Sequence, residues 1–199
     1  MYPPAHFQTE DPKLLQQFLQ QHYFGLLLSQ NAGLQFSALP FLFDWQGEPG
    51  LAYFHMARNN PQLQQLDGHE VSIIIQGPHA FVAASCYQRQ PAVSTWNYAI
   101  AELTGKARLL DADGTLALVR QQEALSAPDM LQAADYQQQL VKAIVGVEIR
   151  LNSVKGRFKL SQNKPEAEQQ AVIEYLQQSE QPATVWQLMQ SVSSISIPG

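Results

Sequence analysis

The chain has 199 residues, of which 45% are hydrophobic and 15% charged, and its formal net charge is −5. This length allows one domain with a sizeable core. The acidic balance disfavours a nucleic-acid-binding protein unless its few basic residues cluster. The single cysteine, Cys86, excludes an intrachain disulfide. No apolar run is long enough to cross a bilayer, and Met1 begins no signal peptide, so a cytoplasmic protein is predicted.

The first third of the chain is predicted to form a helix followed by strands. Asp11-Pro12 supplies an N-cap and a proline at the first helical position, so a helix is predicted over 11–22. Phe24–Ser29 and 34–43 are predicted to pair as a hairpin. Pro40 is expected at an edge because proline cannot donate to a ladder. A third strand is predicted over 51–56.

The junction after this third strand is a candidate anion site. Arg58, Asn59 and Asn60 lie between the strand and a short helix whose first turn carries Pro61. Unpaired N–H groups and the helix dipole favour an anion at such a junction, and an arginine would complete it. An arginine on a solvated loop explains the same residues, so the pattern alone leaves both interpretations open.

The stretch 71–105 is predicted to form three strands. Two apolar runs, 71–75 and 80–84, flank Gln76-Gly77-Pro78, which predicts a tight corner between two strands. A loop over 88–94 precedes a third strand over 95–105, which continues to about residue 110. Polar and aromatic groups that could stack on a flat ring and hydrogen-bond to it lie between these strands: His79, Ser85, Tyr87, Trp96 and Asn97. An ordinary sheet core with polar loops is the alternative.

The second half is predicted to contain further helices over 114–125, 133–144 and 165–177, with a β-type run over 145–151. The tail 179–199 is expected to be partly helical, around 184–191, or disordered, and 1–178 is expected to form the single main domain.

A second candidate binding stretch is KGRFKLSQN, residues 155–163. In a strand, Arg157 and Lys159 would point to one face, and Phe158 and Leu160 to the other. Ser161, Gln162 and Asn163 follow with short polar groups. Cationic and amide groups suit a phosphate, and aromatic and amide groups suit a flat heterocycle.

The search for catalytic and metal motifs is negative. The sequence has no nucleophile elbow, no phosphate-binding Gly-rich loop and no dinucleotide fingerprint. The five histidines lack ligand spacing, so no metal site is predicted. No catalytic residue is assigned.

Several segments in order resemble the PaiB family of FMN-binding, negative transcriptional regulators. The matching pieces are MYPPAHF (1–7), HYFGLLL (22–28), LPFLFD (39–44), HMARNNPQ (55–62), IQGPHAF (75–81), STWNYAIAELTG (94–105), AIVGVEI (143–149) and GRFKLSQNK (156–164). The chain departs from the family pattern at Cys86 and Phe158, where the family usually has tryptophan, and in its short loop over 88–94.

The resemblance implies an α+β fold that is mainly β, an FMN-binding split β-barrel like that of pyridoxamine-phosphate oxidases. It also implies FMN as cofactor and a homodimer that holds it. By analogy with such folds, the cofactor-binding residues expected are Arg58, Asn59, Asn60, His79, Tyr87, Trp96, Asn97, Lys159, Ser161, Gln162 and Asn163. Arg58 and Lys159 are expected to supply the main charges to the phosphate.

Three functions remain open at this stage. The first is an FMN-binding protein with flavin-dependent redox activity. The second is a ligand-sensing transcriptional repressor without enzymatic activity, although direct DNA binding and membrane association are not expected. The third is a haem-binding split barrel, with His79 or His55 as the axial ligand.

Overall fold

A computed structural model describes residues 4–48, 50–126, 141–180 and 184–194. Within them the chain forms strands β1 (Gln8–Thr9), β2 (Phe24–Ser29), β3 (Gln35–Pro40), β4 (Leu42–Asp44), β5 (Leu51–Ala57), β6 (Glu70–Val82), β7 (Thr95–Leu109) and β8 (Ile144–Lys159). The α-helices are α1 (Pro12–Gln21), α2 (Ala112–Ser126), α3 (Glu166–Gln178) and α4 (Thr184–Ser194). Short 3₁₀ helices cover Ala5–Phe7, Pro61–Gln65 and Ala84–Cys86. The predicted α+β class is confirmed.

The strands are hydrogen-bonded in the order β3-β2-β6-β7-β8-β5-β4, and β1 pairs with β8. The pairs β2–β3, β2–β6, β4–β5, β5–β8 and β1–β8 are all antiparallel. The chain divides into two compact units. Unit 1 comprises Met1–Asp11, Gln76–Ala101 and Lys155–Gly199, and unit 2 comprises Pro12–Ile75 and Glu102–Val154.

Unit 2 contains the elements that local sequence predicts best. Helix α1 buries Leu14, Leu15, Phe18 and Leu19 on one face, as its periodicity predicts. Strands β2 and β3 form the predicted hairpin, in which Phe24 lies opposite Pro40. Strand β3 ends the sheet order, so Pro40 lies on an edge strand as expected.

The predicted corner at Gln76-Gly77-Pro78 is wrong. Strand β6 runs unbroken for 13 residues through these positions. Its pairing with β2 covers Ser72 to Ile74, so Pro78 lies beyond the residues that β2 contacts through its ladder. The residue before a proline also favours extended backbone, which suits a strand as well as a turn. The runs predicted at 145–151 and 155–159 likewise join in one strand, β8.

In unit 1, helices α3 and α4 pack on each other. Their buried side chains include Val172, Leu176, Val185 and Met189. The predicted helix over 165–177 is confirmed, and the weak segment around 184–191 is helical to Ser194. The predicted helix over 133–144 falls mostly outside the described residues, but Ile144 already belongs to β8, so its predicted end is wrong. Of the Ser-rich end beyond residue 191, which was expected to be partly disordered, residues 192–194 belong to α4, and residues 195–199 lie outside the described residues.

None of the described helices is both long enough and apolar enough to cross a membrane.

Candidate functional site

Exposed aromatic rings cluster on one face of unit 1, which we call the outer face. Trp96 on β7 is 51% exposed. Its ring centroid lies 5.7 Å from that of Phe81 and 6.2 Å from that of His79, both on β6. Alternation along a strand brings residues 79 and 81 to the same side. Such rings offer a flat apolar surface on which a heterocycle can stack.

Two cations of β8 lie on the same face. The Arg157 guanidinium carbon is 5.6 Å from the ring centroid of Tyr98, a neighbour of Trp96 on β7. The Nζ of Lys159 donates to Thr95 Oγ1 at 2.6 Å and to the Trp96 carbonyl oxygen at 2.7 Å. The predicted alternation of this stretch is confirmed, because Phe158 and Leu160 are buried on the opposite side.

The positive charge of this face is not neutralised by any described carboxylate. Neither Arg157 nor Lys159 nor Lys164 forms an ion pair with one. The Nε of Arg157 is buried and has no hydrogen-bond partner among the described residues. Burial lowers the pKa of Lys159, and the charges of Arg157 and Lys164 lower it further. A bound anion would offset this repulsion between like charges.

A buried polar cluster lies on the opposite side of the same strands, and we call it the inner node. Asn97 is fully buried, and its Nδ2 donates to Ser161 Oγ at 3.0 Å and to Met189 Sδ at 3.4 Å. Ser161 Oγ also lies 3.1 Å from Asn97 Oδ1. Burial raises the pKa of Tyr87, whereas a hydrogen bond with the Ser161 side chain lowers it. The predicted site residues Tyr87, Asn97 and Ser161 therefore lie together, but they are buried inside unit 1.

Gln162 and Asn163 follow Ser161. The side chain of Gln162 accepts from Leu160 N at 2.7 Å and donates to the Phe158 carbonyl oxygen, so it closes the turn at the end of β8. Asn163 is exposed. Gln162 therefore stabilises this turn, a structural role that its residue type alone does not indicate.

Glu168 is a buried polar residue that was not predicted from the sequence. Its two carboxylate oxygens accept from the backbone N–H groups of Gln88 and Arg89 at 3.0 and 2.9 Å. It lies in the first turn of α3 and is buried. This carboxylate anchors the start of the short loop 88–94 to α3.

The predicted anion junction lies in unit 2. Arg58 Nε and Nη2 donate to the carbonyl oxygens of Lys142 and Ile144 at 3.0 and 2.9 Å. Asn60 caps the 3₁₀ helix by accepting from Gln62 N at 2.9 Å, and Asn59 is exposed. The residues predicted from the sequence are thus distributed over both units.

The outer face includes Phe81, Tyr98 and Arg157, which are absent from the expected cofactor-binding residues, although Arg157 belongs to the candidate binding stretch 155–163. Two of them carried a usable signal. Phe81 stands two positions after His79, and Arg157 two before Lys159, so strand alternation alone groups each pair.

No group of three or more His, Cys, Asp or Glu residues within the described ranges could hold a metal ion.

Residues 1–153 match a family described as "Putative FMN-binding domain". The chain belongs to this family. It is 32% identical over 192 residues to the Protease synthase and sporulation protein PAI 2 of Bacillus subtilis, covering 92% of each chain. The resemblance to the PaiB family is therefore confirmed, and membership supports FMN as the cofactor.

Solved structures show the same fold at low identity. The flavocytochrome Anf3 from Azotobacter vinelandii matches with a TM-score of 0.61 at 12% identity, over 79% of this chain and 72% of that one. The FAD and heme binding protein from Mycobacterium smegmatis matches with a TM-score of 0.61 at 15% identity, over 83% of this chain and 79% of that one. The predicted split-barrel fold is confirmed.

Proposed function

We propose that this FMN-binding protein holds its cofactor on the outer face of unit 1. The flavin ring would stack on the cluster of His79, Phe81 and Trp96, and the phosphate would bind Arg157 and Lys159. The observation that carries this proposal is the placement of two cations, neither paired with a carboxylate among the described residues, beside exposed aromatic rings.

The chemistry of the face fits both ends of FMN. Arginine can grip a phosphate through two parallel hydrogen bonds, and Arg157 forms no ion pair with a described carboxylate that would compete for its guanidinium. Lys159 adds a point charge that two oxygen atoms, on Thr95 and Trp96, already hold in place. The aromatic rings provide a stacking surface for the flavin ring that does not depend on hydrogen bonds to the edge of that ring.

The protein's contribution would be to bind and orient the cofactor. FMN supplies redox chemistry when bound. We assign no general acid or base on the outer face, and the family-level redox activity stays a proposal.

The proposal is tested by FMN titration followed by flavin fluorescence. Arg157→Met and Lys159→Met should each raise the Kd by about ten- to a hundredfold, because each removes a charge-assisted hydrogen bond worth roughly 1.5–3 kcal/mol. Arg150→Met is the matched control, since Arg150 is an exposed arginine of the same strand. Equal affinities in all three folded variants would place the phosphate elsewhere.

We further propose a homodimer formed through the outward face of the β2–β3 hairpin, in unit 2. Three directly opposed pairs line this face: Phe24 with Pro40, Leu26 with Ala38, and Leu28 with Phe36. Phe24 and Phe36 are 61% and 69% exposed. Contiguous exposed apolar patches mark interaction sites.

A second copy is the partner that suits this face. None of its six residues is charged, so two copies related by a twofold axis bring no like charges together. A stable interface buries about 800 Å² per partner, so the hairpin would form its apolar centre and neighbouring side chains its rim.

A regulatory function is the second candidate, supported by the 32% identity with the sporulation protein. We propose that such regulation in this chain acts through a ligand or protein partner in the cytoplasm, and not through direct DNA contact. The net charge of −5 supports this, because DNA binding needs clustered bases. Sequence-specific retention in a gel shift at physiological salt would contradict it.

A further inference from the structure

We infer that Asn97 and Ser161 are positioning residues that set the preference of the outer face for a phosphorylated flavin over riboflavin. They would act through Lys159 and would not touch the cofactor. This inference rests on the proposed FMN site and concerns its selectivity.

The first support is burial. Asn97 has no exposed surface, and Ser161 is 4% exposed. Their mutual hydrogen bond of 3.0 Å lies on the inner side of β7, since Asn97 alternates with the outward-facing Trp96. Neither side chain can reach a ligand stacked on the aromatic cluster, although both were expected from the sequence to bind it.

The second support is that hydrogen bonds on the outer face and in the inner node join the same two chain segments. Lys159 precedes Ser161 by two residues, and its Nζ bonds to Thr95 and Trp96, which directly precede Asn97. The same two chain segments are therefore tied twice, once by Lys159 on the outer face and once by Asn97–Ser161 in the inner node. Loss of the inner tie would let the end of β8 shift relative to β7 and would move the Lys159 ammonium group away from its two oxygen partners.

The third support is backbone conformation. Ser161 has φ of +65°, a left-handed value that L-residues other than asparagine and aspartate rarely adopt. Residues held in such conformations persist when surrounding contacts over-determine them. Here those contacts are the two hydrogen bonds between the side chains of Ser161 and Asn97, and the bond that Lys164 N donates to the Ser161 carbonyl oxygen at 2.9 Å.

The phosphate is the part of the cofactor that depends on this arrangement. A preorganised cation binds an anion better than one that must be ordered on binding. The riboflavin moiety rests on the aromatic cluster, which the inner node does not contact through any described hydrogen bond. The ratio of riboflavin Kd to FMN Kd therefore isolates the effect of the inner node on the phosphate.

The experiment measures both dissociation constants for the full chain and for Ser161→Ala, which removes the hydroxyl and keeps Cβ. We expect the FMN Kd to rise about five- to tenfold and the riboflavin Kd to stay within about twofold, so that the selectivity ratio falls. In a Lys159→Met background the same substitution should have no further effect on the ratio, because the two residues act as one unit.

Two results would overturn the inference. An equal loss of affinity for both flavins would mean a general structural role, and an unchanged Kd for both flavins would mean no role. If Ser161→Ala does not fold by circular dichroism, Ser161→Gly relieves the positive φ while also removing the hydroxyl, and the same criterion applies. An unchanged ratio in Lys159→Met and Arg157→Met would instead contradict the proposed phosphate site itself.

Discussion

The Nζ atom of Lys159 donates a 2.7 Å hydrogen bond to the carbonyl oxygen of Trp96, whose indole ring is half exposed on the same face. This bond joins the end of β8 to the beginning of β7 and places a cation beside a stacking surface. A ligand with one flat apolar end and one anionic end matches that pairing.

The pH dependence of FMN binding should follow Lys159. Its pKa lies below the ordinary value of 10.5, so the ammonium is lost at lower pH than in an ordinary lysine. FMN affinity should therefore fall as pH rises through that lowered pKa, since only the protonated form attracts the phosphate. Titrations at several alkaline pH values measure this effect, and subtraction of the Lys159→Met curve removes contributions from other groups.

The stability of the ligand-free protein should change with pH in the opposite direction to its affinity for FMN. Between the lowered folded pKa of Lys159 and its unfolded value of 10.5, the unfolded chain binds more protons, so the free energy of unfolding rises with pH in that window. Urea denaturation of the parent and of Lys159→Met isolates this contribution. If the free energy of unfolding changed with pH equally in the parent and in Lys159→Met, the predicted contribution of Lys159 would be contradicted.

Arg58 and Arg157 are competing candidates for the phosphate. The prediction from sequence that Arg58 binds it remains a prediction, but two donors of this guanidinium already bond to carbonyl oxygens. We expect Arg58→Ala to lower the free energy of unfolding by about 1–3 kcal/mol, because it removes hydrogen bonds from a charged donor, and to leave the FMN Kd nearly unchanged. A tenfold or larger loss of FMN affinity in a folded Arg58→Ala protein would favour the junction in unit 2.

A charge on the hairpin face should dissociate the proposed dimer. Phe36→Asp would place a carboxylate in the apolar centre, where burial without a partner is costly. Light scattering at micromolar concentration should give twice the monomer mass for the parent and the monomer mass for Phe36→Asp. Leu125→Asp is the control, because Leu125 is an equally exposed apolar residue, 66%, on helix α2. A monomeric parent would contradict the proposal.

The visible absorption spectrum separates flavin from haem. We expect flavin bands and no Soret band after purification or after loading with FMN. Of the two histidines considered as axial ligands, His55 Nδ1 lies 2.7 Å from Gln122 Oε1, and His79 Nδ1 lies 3.4 Å from Gln76 Nε2. A Soret band that disappears in His79→Ala would support the haem alternative.

The carboxylate of Glu168 should matter for stability. Glu168→Gln replaces one acceptor oxygen by an NH₂ group that faces a backbone N–H, so we expect a loss of about 1–3 kcal/mol in the free energy of unfolding by urea. Glu166→Gln, at an exposed position of the same first helical turn, serves as the control and should change stability by less than about 0.5 kcal/mol. Similar losses in both variants would mean that the bonds to Gln88 and Arg89 contribute little.

Local signals in the sequence determined several elements of this protein. The Asp11-Pro12 start and the apolar spacing of α1 predict that helix, and the turn before β3 predicts its hairpin with β2. The alternation of Arg157 and Lys159 with Phe158 and Leu160 predicts which side of β8 is buried. These features depend on residues close together in the chain, whose period and turn chemistry are readable without the fold.

Tertiary structure alone decided the features that join distant segments. Gln76-Gly77-Pro78 has the composition of a turn, yet it is extended within β6, which lies between β2 and β7 in the sheet order. Asn97 has a residue type suited to ligand binding, but its contact with Ser161, 64 positions later in the chain, turns it inward. Whether a polar side chain meets solvent, a ligand or another buried group depends on which strand lies beside it. That pairing is set by the summed burial of the whole sheet, which no local pattern encodes.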